Sequence, residues 1–187
     1  MTRFTPPLFS RMRLALFRFI HRKNPRIQVG EGLRLDCWLS IKGPGLVTIG
    51  DNCVVSALPG SAAYMTTLYT NAPEACITIG NNVSLVSARF SSRFAIRVGD
   101  GVLVEDASLM DTDFHTLDIS RQTPKDETRE TCSISIGRDV YIGARAFVTK
   151  GVVLEEGTKV YPGAVVQKSW PAQTLLIGNP AKPFQPQ

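Results

Sequence analysis

From Ile136 onward an aliphatic side chain returns at every sixth position: Ile136, Ile142, Val148, Leu154, Val160 and Val166. Four residues after the first five of these stand Val140, Ala146, Val152, Thr158 and Ala164, which are small or β-branched. Two markers on one six-residue period exclude an α-helix, whose repeat is 3.6. The period is also too short to hold a helix between strands. It suits a coil with three flat faces, each made of one short strand and one turn. Every sixth aliphatic side chain then points inward, and the small residue fits the corner. Coils stacked roughly 4.8 Å apart build three parallel sheets around an apolar core. No single coil buries its own core, so the fold depends on the stack.

The same frame appears earlier as Val98-Gly99, Val104 and Met110, and as Ile79-Gly80 and Leu85. A looser version runs through Val29-Gly30, Leu35 and Ile41, then restarts at Ile49-Gly50. Glycine after the aliphatic residue relieves crowding where the backbone bends. Residues 57–76 lack the period and read as an irregular loop. Residues 116–133 are polar, lack it too, and read as a loop extruded from the stack.

The 187 residues suit one domain. Its expected parts are a basic arm over 1–26, a β-helix over 27–170 and a closing segment over 171–187. The arm holds seven cations and no acidic residue, so of the net charge of +5 the rest of the chain carries −2. That distribution argues against a nucleic-acid-binding surface. An amphipathic helix is predicted around Leu8 to Ile20, with Phe9, Met12, Leu16, Phe19 and Ile20 near one face. It has two readings: a helix packed on the end of the domain or on a neighbouring subunit, or a basic helix resting on an anionic membrane surface. Arg18 interrupts any signal-peptide core, and no apolar run reaches membrane-spanning length. Cys37, Cys53, Cys76 and Cys132 form no C-x-x-C pair, so neither a thiolate metal site nor a disulfide framework is expected. The expected location is the cytoplasm, in solution or against the inner face of a membrane.

The repeat resembles the aliphatic-Gly-x-x-small-x motif of the hexapeptide-repeat acyltransferases, over residues 79–184. The segments IGRDVYIGARAFVTKGVVLEEGTKVYPGAVV and IGNPAKPF are similar to the final coils and closing segment of maltose, galactoside and polysaccharide O-acetyltransferases. The resemblance implies an all-β, left-handed parallel β-helix that assembles as a homotrimer. It also implies transfer of an acetyl group from acetyl-CoA, without a metal, to a sugar or glycan hydroxyl.

Of the two histidines, His21 lies in the basic arm, and His115 lies in VEDASLMDTDFHTLD, where the repeat gives way to the polar loop. A neutral imidazole suits removal of a hydroxyl proton near neutral pH. The resemblance places His115 at the position of the family's catalytic base. Asp111 and Asp113 are candidates to orient its imidazole, or else turn residues or acceptor ligands. For the donor, the matching positions are Ala144, Pro162, Gln167 and Lys168, with Gly178 and Lys182 in the closing segment. Tyr141 matches an aromatic position near the active site.

Leu85 and Arg93 replace the Asn and Asp that contact the acceptor in galactoside-type enzymes, so a galactoside acceptor is not implied. Arg89 and Arg93 are candidates for an anionic acceptor, or else solvated charges. Two other functions compete: N-acetylation of an amino sugar on a nucleotide or lipid carrier, and a non-catalytic scaffold. A three-histidine zinc site of the γ-carbonic anhydrase kind is excluded, because the body holds one histidine.

Overall fold

The computed structural model describes residues 8–58, 65–113 and 127–184. The chain opens with helix α1 (Leu8–His21) and then winds in coils of three strands. The first coil is β1 (Ile27–Val29), β2 (Arg34–Leu35) and β3 (Trp38–Lys42). The second is β4 (Leu46–Ile49), β5 (Val54–Ser56) and β6 (Met65–Thr70), and the third β7 (Cys76–Ile79), β8 (Ser84–Val86) and β9 (Arg89–Ser92). The fourth coil is β10 (Ala95–Val98), β11 (Leu103–Glu105) and β12 (Ser108–Met110). A short helix, α2 (Arg129–Cys132), leads into the fifth: β13 (Ile134–Ile136), β14 (Tyr141–Ile142) and β15 (Phe147–Val148). The sixth is β16 (Val153–Leu154), β17 (Lys159–Val160) and β18 (Val165–Val166); β19 (Leu175–Ile177) and β20 (Lys182–Pro183) close the stack.

Corresponding strands of successive coils pair in parallel, giving a first sheet β1-β4-β7-β10-β13-β16, a second β2-β5-β8-β11-β14-β17-β19-β20 and a third β18-β15-β12-β9-β6-β3. Within the second sheet, β19 and β20 pair antiparallel. Side chains alternate inward and outward along each strand, so the six-residue markers line the interior. Ile136, Ile142, Val148, Leu154, Val160 and Val166 are buried, as are Val140, Ala146, Val152, Thr158 and Ala164. Small residues recur at the entrance to the third sheet, where Ala88, Ala107, Ala146 and Ala164 are buried. Glycine after the aliphatic residue allows successive coils to close up: a Cβ on Gly99 would lie 2.8 Å from the carbonyl carbon of Gly137.

One expectation needs correction. Part of the segment read as irregular, 65–70, is the regular strand β6, paired with β3 and β9. Its inward residues are Thr66, Leu68 and Thr70, all fully buried. Two threonines in three inward positions hid the period; Thr70 Oγ1 is satisfied by the amide of Gly45 at 2.9 Å.

Helix α1 forms where predicted, and it docks on the first coil by a face other than its apolar one. Phe17 and Ser10 are buried, Leu14 is partly so, and Arg13 donates to the carbonyl of Asp36 at 2.8 Å. The residues of the predicted apolar face, Phe9, Met12, Leu16, Phe19 and Ile20, are 44–69% exposed.

Candidate active site

The corner between the third and first sheets of the fourth coil is built on Asp111. Its carboxylate is fully buried and accepts from Ser92 Oγ at 2.7 Å, from the Arg93 amide at 2.6 Å and from the Phe94 amide at 2.9 Å. Three donors compensate the cost of burying the charge. Asp111 thereby ties the β9–β10 corner to the coil above, which is the turn-residue alternative among its expected roles.

The described part of this corner ends two residues later, at Asp113. His115 and the following stretch to 126 lie outside the described residues, and the chain is described again at Glu127. The Glu127 side chain is only 2% exposed. It accepts from Thr112 Oγ1 at 2.7 Å, from the Asp113 amide at 3.0 Å and from Lys150 Nζ at 2.9 Å. Burial by itself pushes the Glu127 carboxyl up. The hydrogen bonds from the Asp113 amide, Thr112 and Lys150 outweigh it and hold the group below the usual glutamate value. Lys150 Nζ also reaches Asp113 Oδ2 at 2.6 Å. That bond, helped by Glu127, holds its ammonium above the usual lysine value despite partial burial. Both ends of the segment that carries His115 are therefore fastened to one lysine of the next coil.

Behind this clamp sits α2, with Thr128 as N-cap and a capping box between Thr128 and Thr131. Gly151 (φ +74°) passes so close beneath it that a Cβ would lie 2.5 Å from the Thr131 carbonyl oxygen. Glu127 and Lys150 were not identified from sequence. Each is an ordinary charged residue there, and only the stacking of coils brings them together.

The remaining candidates divide between faces. Arg89, on the outer surface of the third sheet, donates to Asp106 Oδ1 at 3.0 Å and Ser108 Oγ at 3.2 Å. It borders a shallow groove of about 300 Å³ with Thr67, Tyr69, Ser91 and Met110. Arg93 lies at the Asp111 corner, with its guanidinium carbon 5.8 Å from the Phe94 ring centroid. Tyr141 faces outward from the second sheet and donates to Glu105 Oε2 at 2.6 Å. The Glu105 hydrogen bond, then burial, push the phenol up to about 12, so it remains a donor at neutral pH.

The donor-side candidates stack mainly along the corner between the second and third sheets. The Gly163 amide donates to the Ala144 carbonyl at 2.8 Å, and Pro162 packs over Gly143. In the closing segment Gly178 (φ +94°) precedes a cis Asn179–Pro180 bond. The Val165 amide donates to Gly178 O at 3.0 Å and the Ala181 amide to Val165 O at 2.8 Å, which fastens the segment to β18. Lys182 is exposed and pairs with Ile177. Gln167 and Lys168 are exposed beyond the far end of β18, where the Lys168 ammonium lies 4.6 Å from the Trp170 ring centroid. Among the described residues no group of three His, Cys, Asp or Glu side chains is placed to hold a metal.

Comparison with known proteins agrees with this architecture. A family model described as the hexapeptide repeat of succinyl-transferase matches residues 133–168. A candidate acetyltransferase of Schizosaccharomyces pombe (strain 972 / ATCC 24843) is 34% identical over 90 residues, 48% of this chain and 42% of that protein. A second, from Staphylococcus aureus (strain MRSA252), is 39% identical over 49 residues, 26% of this chain and 25% of its own. The matched region thus spans less than half of either relative.

Among solved structures, the N-acyltransferase AntD from Bacillus cereus, in complex with dTDP and 3-hydroxybutyryl-CoA, superposes with a TM-score of 0.64 at 18% identity. That match covers 97% of this chain and 90% of AntD. A galactoside acetyltransferase in complex with coenzyme A gives 0.54 at 18% identity, covering 97% of this chain and 72% of the other. At these identities the likeness concerns the fold, which is the left-handed parallel β-helix.

Proposed function

We propose, from the premise that this chain is a hexapeptide-repeat protein of the left-handed β-helix type, that it transfers an acetyl group from acetyl-CoA to a hydroxyl of a sugar or glycan. The observation that supports this reading is the clamp of Asp113, Glu127 and Lys150, which joins the two described residues on either side of 114–126, the stretch that contains His115. A fold held together by regular corners needs no such clamp; a loop that must present a base at a fixed place does.

In the proposed reaction His115 takes the proton of the acceptor hydroxyl as its oxygen bonds to the thioester carbonyl carbon. The tetrahedral intermediate collapses, the C–S bond breaks, and the imidazolium returns the proton to the CoA thiolate. Backbone N–H groups at the corners stabilise the oxyanion. Asp113, two residues from His115 and 58% exposed, is the carboxylate available to orient the imidazole; Asp111 already serves three donors.

The base-bearing corner and the Ala144–Pro162–Gly178 corner lie at opposite edges of the third sheet. We assign the working site to the groove between neighbouring subunits of a homotrimer, where the base corner of one protomer faces the donor corner of the next. Lys168 and Lys182 are the exposed cations we assign to the CoA phosphates.

N-acylation of an amino sugar is the second reading, supported by the fold likeness to AntD. Calorimetric titration of acetyl-CoA, followed by thioester-cleavage assays against matched sugar alcohols and amines, tests both. Binding with turnover on hydroxyls supports O-acetylation, and turnover on amines alone supports the second reading. Absence of CoA binding removes the donor and returns the stack to a scaffold.

A further inference from the structure

We propose that the outer face of α1 is an interfacial anchor that lies on an anionic lipid surface. The helix turns about 100° per residue, which sorts its side chains into three strips. Ser10, Arg13, Leu14 and Phe17 form the strip docked on the first coil. Leu8, Phe19, Met12, Leu16, Phe9 and Ile20 form a second, spanning an arc of about 120°, and each is 44–69% exposed. Arg11 and Arg18 form the third, continued by Arg22 just past the helix, and all three are exposed.

A soluble monomer rarely leaves six large apolar side chains contiguous on one face. Their setting indicates what covers them. No acidic residue occurs between residues 1 and 30, while Arg11, Arg18, Arg22, Lys23 and Arg26 are exposed around the apolar arc. A protein partner would have to meet this cluster with an acidic surface or leave the cations at a solvated rim. A leaflet of anionic headgroups over acyl chains supplies both layers at once: apolar side chains enter the acyl boundary and the arginines stay among the phosphates. Arg22 already leans over the Phe19 ring at 4.6 Å, its cation carried at the rim of the apolar arc. The helix rests on the surface and does not cross it, because no helix among the described residues is long and apolar enough to span a membrane. The β-helix behind it holds the helix in place from the docked side, so the apolar arc points away from the protein body.

The experiment is co-sedimentation of the full chain with phosphatidylcholine vesicles, alone or with about one-third phosphatidylglycerol, beside Phe9→Glu/Ile20→Glu and Arg11→Gln/Arg18→Gln/Arg22→Gln variants. The wild type is expected to sediment with the anionic vesicles and to release as salt is raised. Both variants are expected to partition at least about tenfold more weakly. Circular dichroism and sedimentation velocity of the Phe9→Glu/Ile20→Glu variant should match wild type, since those side chains are mostly exposed and lie outside the buried core. Wild type that stays in the supernatant, or that binds neutral vesicles equally, overturns the proposal. So does a variant with an altered oligomeric state, which would make the face a contact between copies. Acetyl transfer to a water-soluble acceptor is unaffected by either result, so the anchor and the activity are tested separately.

Discussion

The fifth and sixth coils and the four coils before them are built to one plan with different tolerances. In the later pair the rungs repeat every 18 residues: Ile136 lies on Leu154, Ile142 on Val160 and Val148 on Val166. In the earlier set the spacing wanders, with Leu68 on Phe90, Ile79 on Val98 and Ile41 on Leu68. Yet Leu68, Phe90 and Leu109 are as buried as Val148 and Val166. Register is therefore set by the inward side chains, and extra residues are shed at corners without cost to the core. Corners differ more than strands do. A regular corner is made with a small residue and a close backbone contact, whereas the corner flanking residues 114–126 is made with two buried carboxylates, Asp111 and Glu127.

The largest effect should come from the core and be the same in both halves. Leu154→Ala and Leu109→Ala should each cost about 2–5 kcal/mol in denaturant unfolding, because both side chains are fully enclosed. A much smaller loss at Leu109 would mean that the irregular coils are looser than they look. Next in size is Asp111→Ala, expected to cost about 2–3 kcal/mol by leaving a hydroxyl and two amides without their acceptor. Asp111→Asn should recover part of that.

Lys150→Met removes the cation from an enclosed carboxylate. The lysine is 33% exposed, so water moderates the loss to about 1–3 kcal/mol. Glu127→Gln bears on pH. The Glu127 carboxyl is held below its ordinary value, so its contribution is present above the usual glutamate range and fades as pH falls through the lower folded value. Thermal melts of wild type should drop between those two values, and the glutamine variant should lack that step. The smallest effect is Tyr141→Phe, about 0.5–1.5 kcal/mol, since one partly exposed hydrogen bond to Glu105 is lost and the ring stays.

The stack was legible because its signal is repeated: each coil restates the same inward positions, so Ile136 to Val166 could be read without a partner in view. Strand β6 was missed because Thr66 and Thr70 fill inward places that the pattern reserves for aliphatics. Helix α1 was found by its spacing, and its apolar face is exposed on the single chain, since amphipathicity marks an apolar face without saying which surface covers it. At the site, Asp111 and Asp113 were visible through their place beside His115, but not the division between them. Glu127 and Lys150 were invisible, being 23 residues apart and joined only by the stacking of one coil on another.

The central claim is that the break in the repeat is where acyl transfer is catalysed. It is tested most directly by comparing wild type with His115→Ala at saturating acetyl-CoA and a responsive acceptor. The account predicts unchanged acetyl-CoA binding and turnover lowered by about 10²–10⁴-fold. Undiminished turnover in the variant would contradict it and place the base elsewhere.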